Sequence, residues 1–171
     1  WVRDVTISNS TWGNRLLKIF APRNGIHALG GGIGQGMPMG IGAALGAEGR
    51  KVVALCGDGG LMLNIGELAT AVQEQADVTL LVMNDQGYGV IRNIQDARFG
   101  GRHYFTDLRL PDFAKLSESL SVPHWNVTSI SEFGEKFREA LAVNGPALVE
   151  VNMQAIGPFK VPFAGPPVRT K

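Results

Sequence analysis

The chain has 171 residues, with 16 basic and 15 acidic side chains and a net charge of +1, which suits one domain with a conventional core. This balance, without a basic stripe interleaved with aromatics, argues against nucleic acid or an anionic membrane as a partner. A single cysteine, Cys56, and the lack of a long apolar run or signal-peptide pattern predict a cytoplasmic protein with one buried, inert thiol.

Apolar and β-branched runs predict six strands along the chain. The strongest are KVVALC (51–56), VTLLVM (78–83) and PALVEVN (146–152), which are typical of parallel strands buried on both faces. Weaker signals lie near residues 5–7, 26–29 and 122–127.

Two amphipathic helices are predicted between these strands. The first covers 64–75, with Asn64 and Glu67 placed as a capping box. The second covers 129–141 and precedes the last strand. Their expected apolar faces are Ile65, Leu68, Ala69 and Val72 in the first helix, and Phe133, Phe137, Ala140 and Leu141 in the second.

Alternating strands and helices predict the α/β class, with a doubly wound, mostly parallel sheet and helices on both faces. Ligands then belong at the carboxyl ends of the strands. We expect one domain over residues 1–171, with an irregular Pro- and Gly-rich tail at 157–171. Because the chain starts at Trp1 and not at methionine, we also expect it to be a piece of a longer polypeptide.

Two carboxylates follow two of the strong strands. Asp58 and Asp85 should meet at one rim of the sheet, where a hard cation such as Mg²⁺ would relieve their repulsion. Nearby glycines would let the backbone approach a phosphate, and the following helix starts offer free amides. From the residues alone, the alternative is that both are ordinary turn residues.

The block GDG, followed by a β-α-β unit and then NDQGYG, resembles the pyrophosphate-binding domain of thiamine diphosphate enzymes of the pyruvate oxidase, acetolactate synthase and benzoylformate decarboxylase group. The resemblance covers nearly the whole chain. It implies that Mg²⁺ is bound by Asp58, Asp85 and the carbonyl of Gly87, although the family usually has Asn at position 85. Asn84 is the alternative ligand if the register slips by one residue.

The same resemblance extends to GGGIGQGMPMGIGAALG, residues 30–46. It implies that Ile33 is the apolar wedge that bends the cofactor, and that the Gly31 carbonyl accepts a hydrogen bond from the cofactor's exocyclic amine. The alternative for this segment is tight helix–sheet packing by small residues.

Further cofactor contacts are implied by the resemblance. Ser10 and Thr11, in the turn SNSTWGNR, would bind the diphosphate, or alternatively cap a helix that starts near Trp12. Val90 and Ile91 would wall the substrate pocket, or alternatively belong to a helix core. The remaining implied contacts are Gly59, Gly60, Tyr88 and Gly89.

One histidine has a place in this pattern. His27, just before the glycine segment, could face the substrate by family position, although a lone histidine on an apolar strand is more often structural. His103 and His124 have no motif context.

The resemblance implies a 2-oxo acid decarboxylase or carboligase, a lyase or transferase, that uses thiamine diphosphate and Mg²⁺. It also implies a homo-oligomer and a pyrimidine-binding domain that supplies an activating glutamate absent from this chain, so we expect the isolated chain to be inactive. Val90 and Ile94 stand where acetolactate synthases carry Met and Trp, which counts against that specificity.

Two other functions stay open. One is a catalytically silent scaffold that keeps the cofactor fold. The other is a nicotinamide-binding domain, disfavoured because no strand ending in an acidic residue follows GGGIGQG at the expected distance.

Overall fold

The computed structural model describes residues 1–157, which form one six-stranded sheet with every paired neighbour parallel. The order across the sheet is β2-β1-β3-β4-β6-β5. The strands are β1 Val2–Arg3, β2 Ile26–His27, β3 Val52–Gly57, β4 Val78–Asn84, β5 His124–Val127 and β6 Ala147–Asn152.

Seven α-helices connect or flank these strands in the described part of the chain. They are α1 Gly36–Leu45, α2 Asp58–Leu63, α3 Glu67–Gln73, α4 Gly89–Phe99, α5 Phe113–Ser119, α6 Ile130–Leu141 and α7 Met153–Ile156. A single π-helical turn, Asn9–Gly13, follows β1.

The sheet separates two apolar cores because successive strand residues point to opposite faces. Within β3, Ala54 and Cys56 join the core that also holds Met37 of α1 and Leu68 of α3. The alternate residue Leu55 joins the second core, which packs against α6. Helices therefore cover both faces, and the predicted doubly wound fold is confirmed.

The three strong strands match β3, β4 and β6 to within one residue, and the weaker predictions near 26–29 and 122–127 match β2 and β5. The strand predicted at 5–7 is wrong, because the first strand is Val2–Arg3. The chain leaves the sheet at Asp4, whose carboxylate accepts the Val5 amide, and the Ser10 amide then bonds the Thr6 carbonyl in a helical turn.

The crossover between β3 and β4 consists of two short helices, α2 and α3, and not of one helix over 64–75. The predicted capping box is wrong: Asn64 ends α2, Gly66 caps α3, and the Asn64 side chain bonds the Gly34 carbonyl. Ala69 is exposed, and Ala71 is buried in its place. The helix at 129–141 is confirmed, and it carries a real capping box.

The strand order changes direction between β1 and β3, since the chain runs outward from β1 to β2 and in the opposite direction from β3 to β4. The crevice at the carboxyl ends of these two strands is the expected ligand position in such a sheet. Among residues 1–157, none of the helices has the length and apolarity that a membrane span requires. All of the predicted tail except Gly157 lies outside the described residues.

Candidate functional site

A cavity of about 680 Å³ opens at the carboxyl ends of β1, β3 and β4. Its walls come from segments that are distant in sequence, including the turn after β1, the start of α2 and the start of α4. It brings together most of the residues singled out in the sequence: Ser10, Gly31, Ile33, Asp58, Gly59, Gly60, Asp85, Gly87, Tyr88, Gly89, Val90 and Ile91.

Asp58 is the most enclosed acid of this cavity. It begins α2 directly after β3 and is 2% exposed. Its Oδ1 accepts the Gly59 amide at 2.8 Å, and its Oδ2 accepts the Gly87 amide at 3.0 Å. The carboxylate therefore joins the turn after β3 to the turn after β4.

Asp85 lies one residue beyond β4 and faces the same cavity. Burial, and then the charge of Asp85, raise the pKa of Asp58 to about 6. Burial also raises the pKa of Asp85, while the Arg92 guanidinium and a hydrogen bond with Asp58 act in the opposite direction. Both acids are therefore harder to ionise than free carboxyl groups. A cation bound in the same cavity would stabilise their charged forms.

The backbone around Gly87 completes a set of oxygen donors. Gly87 forms an isolated antiparallel bridge with Asp107. The two hydrogen bonds of this bridge use the Tyr88 amide and the Gln86 carbonyl, so the Gly87 carbonyl takes no part in it. Residues 1–157 contain no cluster of three or more His, Cys, Asp or Glu side chains that could hold a metal. Two carboxylates and a carbonyl fit Mg²⁺, which takes few protein ligands and fills its octahedron with water and phosphate oxygens.

Asn84, the alternative ligand, lies on the other side of β4. Its Nδ2 donates to Glu150 Oε1 at 2.6 Å, and its Oδ1 accepts the Gln86 amide at 3.0 Å. Glu150 in turn bonds His124 at 3.1 Å, and all three line a second cavity. The register that places Asp85 in the cavity with Asp58 is the one observed.

The polar turn after β1 reaches the cavity only in part. Ser10 lines it and donates to the Thr6 carbonyl at 3.2 Å. Thr11 does not line it and donates to the Ile7 carbonyl at 2.9 Å. Neither side chain caps a helix, since both bond carbonyls four residues earlier within the turn, so the capping alternative is wrong.

The glycine segment forms the exposed lip of the cavity. Ile33 is 36% exposed although it is apolar, and Gly31 has open space around its Cα. His27 does not line the cavity. Its Nδ1 lies 3.3 Å from Asn9 Nδ2 and 3.2 Å from the Arg3 carbonyl oxygen. This matches the structural alternative for that histidine.

Several site residues were missed in the sequence. Asp4 is 1% exposed and lies beside the cavity, and its position at a strand end was hidden by the misplaced first strand. Met153 and Gln154 of α7 form part of the wall, directly after β6. A long apolar run that ends in polar residues was the signal for Asp58 and Asp85, whereas β1 has only the two residues Val2 and Arg3 and gave no such signal for Asp4.

Residues 6–151 match the family model of the thiamine pyrophosphate enzyme C-terminal TPP binding domain. Among solved structures, the chain is similar to a thiamine diphosphate-dependent 4-hydroxybenzoylformate decarboxylase of Rhodococcus jostii. The TM-score is 0.79 and the identity 27%, over 88% of this chain and 28% of that one.

Curated relatives include the acetolactate synthase large subunit of Haemophilus influenzae, which is 35% identical over 135 residues, or 77% of this chain. The probable acetolactate synthase large subunit of Methanocaldococcus jannaschii is 32% identical over 145 residues, or 84% of this chain. The chain spans only 24% of the length of each of these two relatives.

Proposed function

The chain belongs to the thiamine pyrophosphate enzyme family as its C-terminal TPP-binding domain, and we propose that it holds thiamine diphosphate and Mg²⁺ for a 2-oxo acid decarboxylase or carboligase. The observation that carries the proposal is the meeting of Asp58 and Asp85 in one cavity beside the turn that contains Gly87. The names of the relatives, which include acetolactate synthases and a decarboxylase, support the reaction class.

In this proposal, the two carboxylates and the Gly87 carbonyl would hold Mg²⁺, whose charge would offset the negative charge of the diphosphate. Backbone at Gly59 and Gly60 lies in the cavity wall, where phosphate oxygens can approach closely. The Ser10 hydroxyl, also in the wall, can turn its proton from the Thr6 carbonyl to a phosphate oxygen.

When bound, thiamine diphosphate supplies the nucleophilic carbon and the electron sink that 2-oxo acid cleavage requires. The chain itself positions that chemistry: Ile33 acts as the apolar support and the Gly31 carbonyl as a hydrogen-bond acceptor. Val90 and Ile91, at the start of α4, form an aliphatic wall of the cavity that would exclude water from the reacting atoms once the partner domain covers it.

The proposal also requires a partner domain. The activating glutamate would come from a pyrimidine-binding domain, in the same longer chain or in another subunit of a homo-oligomer. In this chain, Glu67 and Glu74 lie on or at the end of α3, and neither lines the cavity. Exposed apolar side chains beside the cavity mouth suit such a partner: Leu29 is 83% exposed and Ile91 is 45% exposed.

Titration calorimetry with thiamine diphosphate, with and without Mg²⁺, tests this function in the assembled protein. We expect tight binding only when the metal is present, because the diphosphate and the two acids repel each other without it. The rival function, a silent scaffold with the same fold, requires neither ligand. Equal affinity for thiamine diphosphate with and without Mg²⁺, or no binding of thiamine diphosphate at all, would reject the proposal.

A further inference from the structure

The backbone of Gly34 is held at its N–H and at its C=O by two side chains, Asp4 and Asn64, to which the sequence motifs assigned no contact with this segment. Asp4 Oδ2 accepts the Gly34 amide at 3.0 Å, and Asn64 Nδ2 donates to the Gly34 carbonyl at 2.7 Å. Asp4 follows β1, and Asn64 ends α2, so each contact joins segments 30 residues apart in sequence. Asp4 also receives the Val5 amide at 2.7 Å, which fixes the direction of its carboxylate.

This peptide is the buried anchor of an otherwise exposed segment. Gly34 is buried, whereas residues 29–33 are exposed, and Ala28 is the buried anchor at the other end. Within the exposed segment, Gly30 and Gly31 have φ values of 70° and 73°, so the segment has little intrinsic preference for one conformation. The Gln35 side chain donates to the Leu29 carbonyl at 3.1 Å and to the Gly32 carbonyl at 2.9 Å. The position of Ile33 is therefore set by the two residues that follow it, of which only Gly34 is bonded to β1 and α2 through Asp4 and Asn64.

Gly34 also packs against the first turn of α2, which begins at Asp58 in the cavity. Gly34 has φ 90°, and a Cβ at that position would lie 3.1 Å from Asn64 Nδ2 and 3.2 Å from the Gly60 carbonyl oxygen. A Cβ at Gly60 would lie 2.9 Å from Asp4 Oδ2. The first turn of α2, which begins at Asp58, thus packs against the same peptide that Asp4 and Asn64 hold.

We infer that Asp4 and Asn64 are positioning residues that fix Ile33 relative to Asp58. The inference rests on the proposed function, in which Ile33 supports the cofactor rings and Asp58 binds the metal. The pair acts through the Gly34 peptide, with one contact on its amide and the other on its carbonyl. Loss of either contact frees the lip of the cavity without removing a metal ligand.

Three variants test the pair. Asn64→Ala removes the donor, and Asn64→Asp keeps the shape but replaces the donor by an acceptor. Asp4→Asn leaves a single acceptor oxygen, so the Val5 and Gly34 amides can no longer both be bonded. The matched control is Asn24→Ala, since the Asn24 side chain bonds Arg50 at 2.9 Å at the opposite end of the strands. Thermal unfolding establishes that each variant is folded. If Asp4→Asn does not fold, the two Asn64 variants decide.

The first measurement is amide hydrogen exchange of residues 30–36 in the cofactor-free chain. We expect at least roughly tenfold faster exchange at the Gly34 amide in folded variants and no change in the control. Unchanged exchange in both Asn64 variants would overturn the inference. This measurement does not depend on whether the chain binds thiamine diphosphate.

The second measurement uses the assembled protein with its pyrimidine-binding partner. We expect turnover to fall by roughly 10-fold to 100-fold, because small displacements of a reacting group cost that much, while the Kd for cofactor and Mg²⁺ changes by less than about threefold. The near-ultraviolet circular dichroism signal of the bound cofactor should change in the same variants that lose turnover. Unchanged turnover, or an equal loss of turnover and cofactor affinity, would overturn the inference, whereas failure of the unmodified protein to bind the cofactor rejects the proposed function instead.

Discussion

The Asp58 carboxylate accepts a hydrogen bond from the Gly87 amide at 3.0 Å, although the two residues lie 29 positions apart and follow different strands. This contact places a carboxylate oxygen of one turn beside the backbone of the other. Asp85 enters the same cavity from the second turn. The metal site that we propose is therefore built from two strand ends that a hydrogen bond joins directly.

Replacing Asp58 by Ala should abolish Mg²⁺-dependent binding of thiamine diphosphate. The change removes one metal ligand and the bond that holds the Gly87 turn. We expect a loss of more than about a hundredfold in cofactor affinity, since changes outside the ligand set alone cost roughly 10-fold to 100-fold. Calorimetry checks this, with Asp96→Asn as the control on the exposed side of α4. Unchanged affinity in Asp58→Ala would remove Asp58 from the metal site.

Replacing Gly89 by Ala should displace Asp85. A methyl group at position 89 would overlap Asp85 Oδ2, so the carboxylate has to leave its position in the cavity. We expect Mg²⁺ affinity to fall by roughly 10-fold to 100-fold. The matched control is Gly66→Ala, where a Cβ meets nothing within 4 Å and the backbone is already helical. That variant should keep the affinity and gain up to about 1 kcal/mol of stability.

The prediction for Gly89 fails if both glycine variants bind Mg²⁺ as the unmodified protein does. Equal weakening in the two variants would also count against it, because the Gly66 change makes no contact with the site. Only a loss confined to Gly89→Ala places Asp85 among the ligands.

Shortening Ile33 to Ala should lower turnover more than cofactor affinity. The side chain lines the lip of the cavity and is not one of the proposed metal ligands, so the change leaves that ligand set complete. We expect turnover to fall by roughly 10-fold to 100-fold with little change in Kd. Ile130→Ala, which shortens a 77% exposed isoleucine on α6, is the control. Full turnover in Ile33→Ala would show that this side chain is not the wedge.

The parts of the site that follow long apolar strands were predictable from sequence. β3 and β4 are six and seven residues long, and their apolar runs end clearly, so Asp58 and Asp85 could be placed at one rim without a structure. Their following glycines added the signal for a phosphate. The fold class followed from the same runs.

The remaining parts depend on contacts that local patterns do not encode. β1 pairs over only two residues, so its end at Asp4 carried no periodic signal. The residue type of Asn64 favours a helix cap, but its side chain bonds the Gly34 carbonyl across 30 positions. Thr11 bonds the backbone of its own turn, and His27 contacts the Arg3 carbonyl of the neighbouring strand, so neither of these polar side chains lines the cavity.

Glu132 should contribute to stability in a pH-dependent way. Hydrogen bonds from the Thr128 amide, the Lys136 ammonium and the Ser129 amide lower the pKa of Glu132 to about 2 from its ordinary 4.5. A lowered pKa in the folded state adds stability above pH 4.5, which is lost as the pH falls toward 2. Glu132→Gln should therefore be less stable than the unmodified chain at neutral pH.

Urea unfolding between pH 7 and pH 2 measures this effect. The difference in unfolding free energy between Glu132→Gln and the unmodified chain should shrink as the pH falls from 4.5 toward 2. Glu135→Gln is the control for removal of one negative charge from the exposed side of the same helix. A difference that stays constant over this range would contradict the assignment.

The isolated chain should bind thiamine diphosphate weakly and should not decarboxylate 2-oxo acids. Its cavity has acids suited to a metal, but none of the lining residues within 1–157 is a glutamate that could activate the cofactor. Exposed apolar residues that line the cavity, including Ile91 at 45%, leave that side open to water. Adding the pyrimidine-binding partner should therefore increase both cofactor affinity and turnover. The assay is carbon dioxide release from a panel of 2-oxo acids with Mg²⁺ and cofactor in excess. Robust turnover by this chain alone would mean that the activating acid lies within it.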